Sequence, residues 1–199
     1  PWSELLSPID RRDNAPLKGI SVKHPDDISA VLDVALDQNY QFLFLDATGG
    51  NADWASELMN QPRFELLSET VIEMRRRKKE EALVLIYSGG VRSGTDAARL
   101  IALGANAVVY GVAAALALGG EIGQSQIEWR SDRAPGERTD GLTSILNAHA
   151  GEASMMARCT GKTCLHNLEP EDLRSVTLAT SAATNIPVPG HNVTRARLL

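Results

Sequence analysis

EALVLIYSGGVRSGTDAARLIALGANAVVYGVAAALALGG, from Glu81 to Gly120, decides how the rest of the chain is read. An apolar run ends in a glycine pair, and the helix-patterned stretch Ser93–Leu103 closes on Gly104. A second apolar run then ends at Gly111, and an alanine-leucine stretch follows. This is strand, helix, strand, helix. A glycine directly after a strand lets the backbone approach a ligand with no Cβ in the way. Its amide, with those opening the next helix, can point at an anion that the helix dipole also favours. One such corner is an ordinary turn. Two in consecutive units, Ser88-Gly89-Gly90 followed by Arg92 and Tyr110-Gly111-Val112, read as the two halves of an anion cradle. Arg92 adds a charge suited to bidentate phosphate contact or to lying along a flavin edge.

The same grammar extends toward the N-terminus. Lys18–Lys23 is a short strand stopped by His24-Pro25, and residues 26–39 carry the one-faced stripe Ile28, Val31, Leu32, Ala35, Leu36. QFLFLDATGG (41–50) reads as a strand buried on both faces, 51–63 as a polar turn, and Glu65–Lys79 as a helix with Leu67, Val71 and Met74 inward. Four βα units in this order predict parallel strands with right-handed crossovers. The expected fold class is α/β, the C-terminal half of a (β/α)8 TIM barrel followed by a mostly helical C-terminal segment. In such barrels the loops after the last two strands commonly make a phosphate site. The expected organisation is a connecting segment (1–16), the half barrel (17–120), a polar, Pro- and Gly-bearing surface excursion (121–150), and helices plus a tail (151–199). Within the last two, 145–156 reads as helical and 167–184 as one helix capped by Asn167.

Composition narrows the function classes. The 199 residues are 43% hydrophobic, and 20 Lys+Arg stand against 25 Asp+Glu, a formal net charge of -5. Phosphate-backbone binders are usually basic, and three each of Trp, Tyr and Phe are few for base stacking, so nucleic acid is not an expected partner. No run approaches the roughly 20 apolar residues of a membrane helix, and the N-terminus lacks a secretory pattern, so a cytoplasmic location and no membrane are expected. Cys159 and Cys164 alone make no disulfide framework.

SGGVRSGTDAARLIALGANAVVYGVAAALALGG resembles the FMN phosphate-binding end of flavin-dependent (β/α)8 enzymes: hydroxyacid oxidases, type 2 isopentenyl isomerases, IMP dehydrogenase-like proteins and glutamate synthases. Two further segments choose among them. ISVKH, with Lys23, resembles the glutamate synthase strand whose lysine reaches the flavin. MARCTGKTCLHNLEPEDLRSVTLATSAATNIPVPG resembles the closing segment of glutamate synthase-like flavoproteins, especially stand-alone subunits such as N-methylglutamate synthase. The resemblance covers about Pro16 to Gly190. It implies FMN as cofactor, bound by Lys23, Ser88, Gly89, Gly90, Arg92, Gly111 and Val112, with Lys23 catalytic at the flavin N1/O2 edge. It implies a small-molecule substrate, an imine of 2-oxoglutarate with ammonia or an amine, reduced to an L-glutamate product.

Departures matter too. DATGGNADWAS keeps Gly49-Gly50 but has Asn51 where the family has Thr. Three thiolates of a [3Fe-4S] cluster cannot come from two cysteines of one chain, so no iron-sulfur cluster is expected, nor any metal. Each single residue also has a plainer reading. Lys23 is then a strand-end lysine reaching solvent, Asp46 a turn former instead of a partner to Lys23 or to a ribityl hydroxyl, His24 a loop residue, His166 structural, and RRRKKEE (75–81) a solvated helix end. Four strands leave two unpaired edges where a closed barrel has none. The missing half is expected from another chain or from another segment of a longer one, readings favoured by the Pro1 start; a dimer of half barrels is the third solution. Two alternatives to the imine reductase are a non-catalytic assembly subunit and an FMN enzyme with a different substrate.

Overall fold

The structure, a computed structural model, describes residues 16–48, 62–123, 127–129, 132 and 134–190. Strands and helices alternate: β1 (Gly19–Val22), α1 (Ile28–Asp37), β2 (Phe42–Asp46), α2 (Phe64–Arg76), β3 (Val84–Ser88), α3 (Gly94–Ala102), β4 (Ala107–Val109) and α4 (Val112–Ala117). The four strands form one sheet in the order β1-β2-β3-β4, all parallel. This is the expected half-barrel order. The connecting segment before Pro16 and the loop holding Gly49, Gly50 and Asn51 lie outside the described residues.

Alternate strand residues face the helices. Val22, Leu45 and Tyr87 share one row of the ladder, Ile20, Leu43 and Leu85 another, and all pack on Leu32, Ala35, Leu67, Met74 and Leu100 from the helices. In α1 the stripe falls as its spacing predicts, with Ile28, Leu32 and Ala35 buried. The strands are not buried on both faces, as their continuous apolar runs led one to expect. Phe42, Phe44, Ile86 and Val109 are only half-buried, and Val84 is 48% exposed. Their side of the sheet corresponds to a barrel's interior, which needs strands beyond the four present here to fill it. The RRRKKEE run is not wholly solvated either. Arg77 is largely buried and bonds Glu73, Asp33 and Ser29, tying the end of α2 to α1, and the Arg76 and Arg77 guanidiniums pull the Glu73 carboxyl down to about 2.

After α4 the chain departs from the loop-like reading. β5 (Gly120–Ile122) and β6 (Ile127–Trp129) form an antiparallel hairpin, and α5 runs from Pro135 to Cys159. Its Pro and Gly residues do not break it. Pro135 occupies the first turn, where no N–H is needed, and the Ala134 N–H reaches back to Glu137. A Cβ on Gly141 would lie 2.3 Å from the Ala117 oxygen, so this glycine lets α5 lie against α4. Farther along, Ala153 and Ala157 pack on Ala98 and Ala102 of α3, a contact of small side chains.

The stretch read as one helix over 167–184 is a correction. It is two short 3-10 turns (Leu165–Asn167, Pro170–Asp172), an extended strap, and α6 (Leu178–Thr184). Glu169, not Asn167, starts the second turn, where its N–H donates to Asp172. The strap forms because the Ser175 N–H is taken by Pro187 O of the returning tail, and a helix restarts only where Thr177 caps Thr180 N.

Candidate functional site

Parallel strands bring their carboxyl ends to one edge, and the predicted residues gather there. Asp46 is level with Ser88, and Ser88 with Val109. Lys23 follows Val22, which pairs Leu45, so it stands beside Asp46; its Nζ lies 3.5 Å from Asp46 Oδ2. The other Asp46 oxygen accepts from Thr48 N at 3.1 Å and from the Thr48 hydroxyl. Burial pushes the Asp46 carboxyl up, but the Thr48 hydrogen bonds and the Lys23 charge outweigh it and hold it below the usual range. Asp46 is thus at once a turn former and a partner of Lys23.

One strand further, Gly89 (φ 124) and Gly90 (φ 69) turn the chain through backbone space that favours glycine. A Cβ at Gly89 would sit 2.9 Å from the Ala47 carbonyl carbon and 3.0 Å from Thr48 N, so its absence lets the corner rest on the end of β2. On the neighbouring strand Gly111 opens α4 with no side-chain cap, and Val112 is buried behind it. The N–H groups of Gly90, Val91 and Gly111 donate to no group among the described residues. Gly90 and Val91 are buried, and buried main-chain donors rarely lack an acceptor. The corners therefore suit an anion.

The amides opening α3 do not join them. Gly94 N donates to Glu152 Oε2 at 2.8 Å, the Thr95 hydroxyl to the other Glu152 oxygen, and Asp96 N to the Ser93 hydroxyl at 3.1 Å. The expectation that a ligand anion would cap this helix is corrected: a carboxylate from α5 does so, and the Thr95 hydroxyl, with Gly94 N, holds it below its ordinary range. No local pattern could have shown this, since the partners are 58 residues apart. Glu152→Ala should cost about 1 kcal/mol in urea unfolding, in the range of lost helix caps.

Arg92 pairs with Asp96. Its N and Nε lie 3.3 and 3.2 Å from Asp96 Oδ2, and its side chain lines a cavity that none of the other predicted residues reaches. His166 lies 3.4 Å from Asn106 O, at the amino end of β4 and away from this edge. Sequence reading also missed the Tyr110–His149 ring pair, centroids 4.9 Å apart, behind the Gly111 corner. Cys159 and Cys164 are exposed free thiols. Among the described residues no group of three His, Cys, Asp or Glu could hold a metal, and no helix is long and apolar enough to cross a membrane.

A four-stranded parallel sheet with helices, glycine corners at its carboxyl edge and a helical closing segment is part of a (β/α)8-barrel fold. The family model described as FMN-dependent dehydrogenase matches residues 62–128. A glutamate synthase large subunit-like protein of Rhizobium meliloti is 30% identical over 72% of this chain, which spans 39% of that relative's length. The recombinant flavin-binding domain of baker's yeast flavocytochrome b2 superposes with a TM-score of 0.63 at 21% identity, covering 96% of this chain and 41% of that one. DHODH from Eimeria tenella superposes at 0.50 with 13% identity, over 87% and 47% of the two chains. These matches support an FMN-binding, glutamate synthase-like family, with this chain as a partial member.

Proposed function

We propose that this chain is the phosphate-binding half of an FMN-dependent oxidoreductase of glutamate synthase type, reducing an imine of 2-oxoglutarate with ammonia or an amine to an L-glutamate product. The observation that carries the reading is the pairing of two corners on adjacent strands, with the N–H groups of Gly90, Val91 and Gly111 at one edge donating to no group among the described residues. FMN, when bound, supplies hydride transfer. Ser88 and the glycine corners hold its phosphate, with Val112 closing the floor beneath. Lys23, pinned by Asp46 at the other end of the edge, sets a positive charge where negative charge grows on the flavin. Arg92, which follows the Gly90 corner in sequence and is 33% exposed, would add its guanidinium to the phosphate.

The remaining barrel strands come from another segment or chain, which covers Phe44, Ile86 and Val109. The spans of relatives that this chain leaves unmatched support this. The substrate is tested by following the bound, photoreduced flavin without oxygen. Mixing with 2-oxoglutarate plus ammonia or methylamine should restore the oxidised spectrum at least tenfold faster than 2-oxoglutarate alone. Acceleration by an α-hydroxy acid's oxo product instead would move the assignment to hydroxyacid chemistry. A protein that takes up no flavin would leave the assembly role.

A further inference from the structure

A cavity of about 370 Å³ lies between the start of α2, the outer face of α3 and the strap leading into α6, apart from the sheet edge. Three guanidiniums line it, Arg92 and Arg99 from α3 and Arg174 from the strap, against one carboxylate, Asp96. Asp96 is buried, and Arg92 and Arg99 flank it at 3.2 and 3.5 Å. Among the described lining residues guanidiniums outnumber carboxylates three to one. Arg174 Nη1 is held by the carbonyl oxygens of Glu171 and Leu173, which fixes its fork in place. Ser175 is 3% exposed, and its hydroxyl, on the cavity wall, has no hydrogen-bond partner among the described residues. Such a group normally has one. The rest of the wall mixes apolar side chains, Phe64, Leu103 and Ile186 among them, with Thr177, Thr180 and Thr184. Small-molecule sites have this size, with apolar surface and a few convergent polar groups.

We propose that this cavity binds a small organic dianion with a short carbon body, a dicarboxylate or a phosphate monoester. The charged end sits between Arg99 and Arg174 and accepts from Ser175, and the carbon body lies on Phe64 and Leu103. Because Arg92 is shared by the cavity wall and the loop after Gly90, occupancy of the cavity bears on the flavin phosphate corner. The site does not depend on the flavin reading.

The test is calorimetric titration of the intact protein with succinate and with glycerol 3-phosphate, in the presence of excess FMN so that any flavin phosphate site is filled. One of the two should bind once per chain, and which one binds tells carboxylate from phosphate. Arg99→Gln and Arg174→Gln should each weaken it at least tenfold, while Arg158→Gln, on α5 and off the cavity wall, leaves it unchanged. Ser175→Ala removes a hydroxyl with no partner among the described residues, keeps the fold, and should weaken binding severalfold. No binding by either acid, or binding unchanged in all three wall variants, overturns the proposal. The visible spectrum of bound FMN, read in the same samples, reports separately on the flavin site.

Discussion

Gly89→Ala should cost the protein about 2–4 kcal/mol of stability and most of its affinity for FMN. Two costs combine. A side chain at φ 124 is strained, worth roughly 1–3 kcal/mol, and the new Cβ meets the Ala47 carbonyl carbon closer than real Cβ atoms approach and Thr48 N more tightly than most do. Neither neighbour is a flexible side-chain tip, so relief requires lifting the corner off the end of β2. That lift also moves the Gly90 and Val91 N–H groups, and the flavin loss follows from geometry even where the fold survives. Urea unfolding measures the first effect and flavin fluorescence titration the second. A variant that loses stability but keeps FMN affinity would separate the corner's packing role from its binding role.

Lys23→Met should lower turnover of bound flavin by about 10²–10³-fold, the usual loss when a charge-stabilising group is removed from a reacting centre. Lys23→Arg should recover part of it, because the cation is restored at a different reach. The flavin potential offers the second readout: without the cation the reduced, anionic flavin is harder to form, and the midpoint should fall. Asp46 sets the pH window. Its folded-state carboxyl lies below its unfolded value, so its contribution to stability is full above the unfolded value and is lost as pH falls through the folded one. From neutral pH down to about pH 5 the Lys23–Asp46 pair should therefore hold unchanged.

What was legible in the sequence was what is local. The helix stripe of α1 and the glycines after β3 and β4 depend on neighbours within a turn or a strand. The sheet edge carrying Lys23, Asp46, Ser88 and Gly111 follows once the strands are parallel. The double burial expected of β2 and β3 describes a closed barrel, and this chain shows only the helix-facing side of it filled. Tertiary partners decided what remained unread. Pro135, Gly136 and Gly141 look like breakers, yet one sits in the first turn and another marks where α4 approaches. Glu152 caps α3 across 58 residues. Ser175 is held extended by Pro187, which splits a stretch whose capping and acidic signals favoured one helix.

FMN and riboflavin differ only in the phosphate, so their relative affinity for the flavin-free protein isolates what the two glycine corners do. Fluorescence titration should find FMN bound at least a hundredfold tighter, about 2.7 kcal/mol. The gap should collapse in Gly89→Ala. Equal affinity for the two flavins in the unaltered protein would contradict the assignment of Gly89, Gly90 and Gly111 to a phosphate.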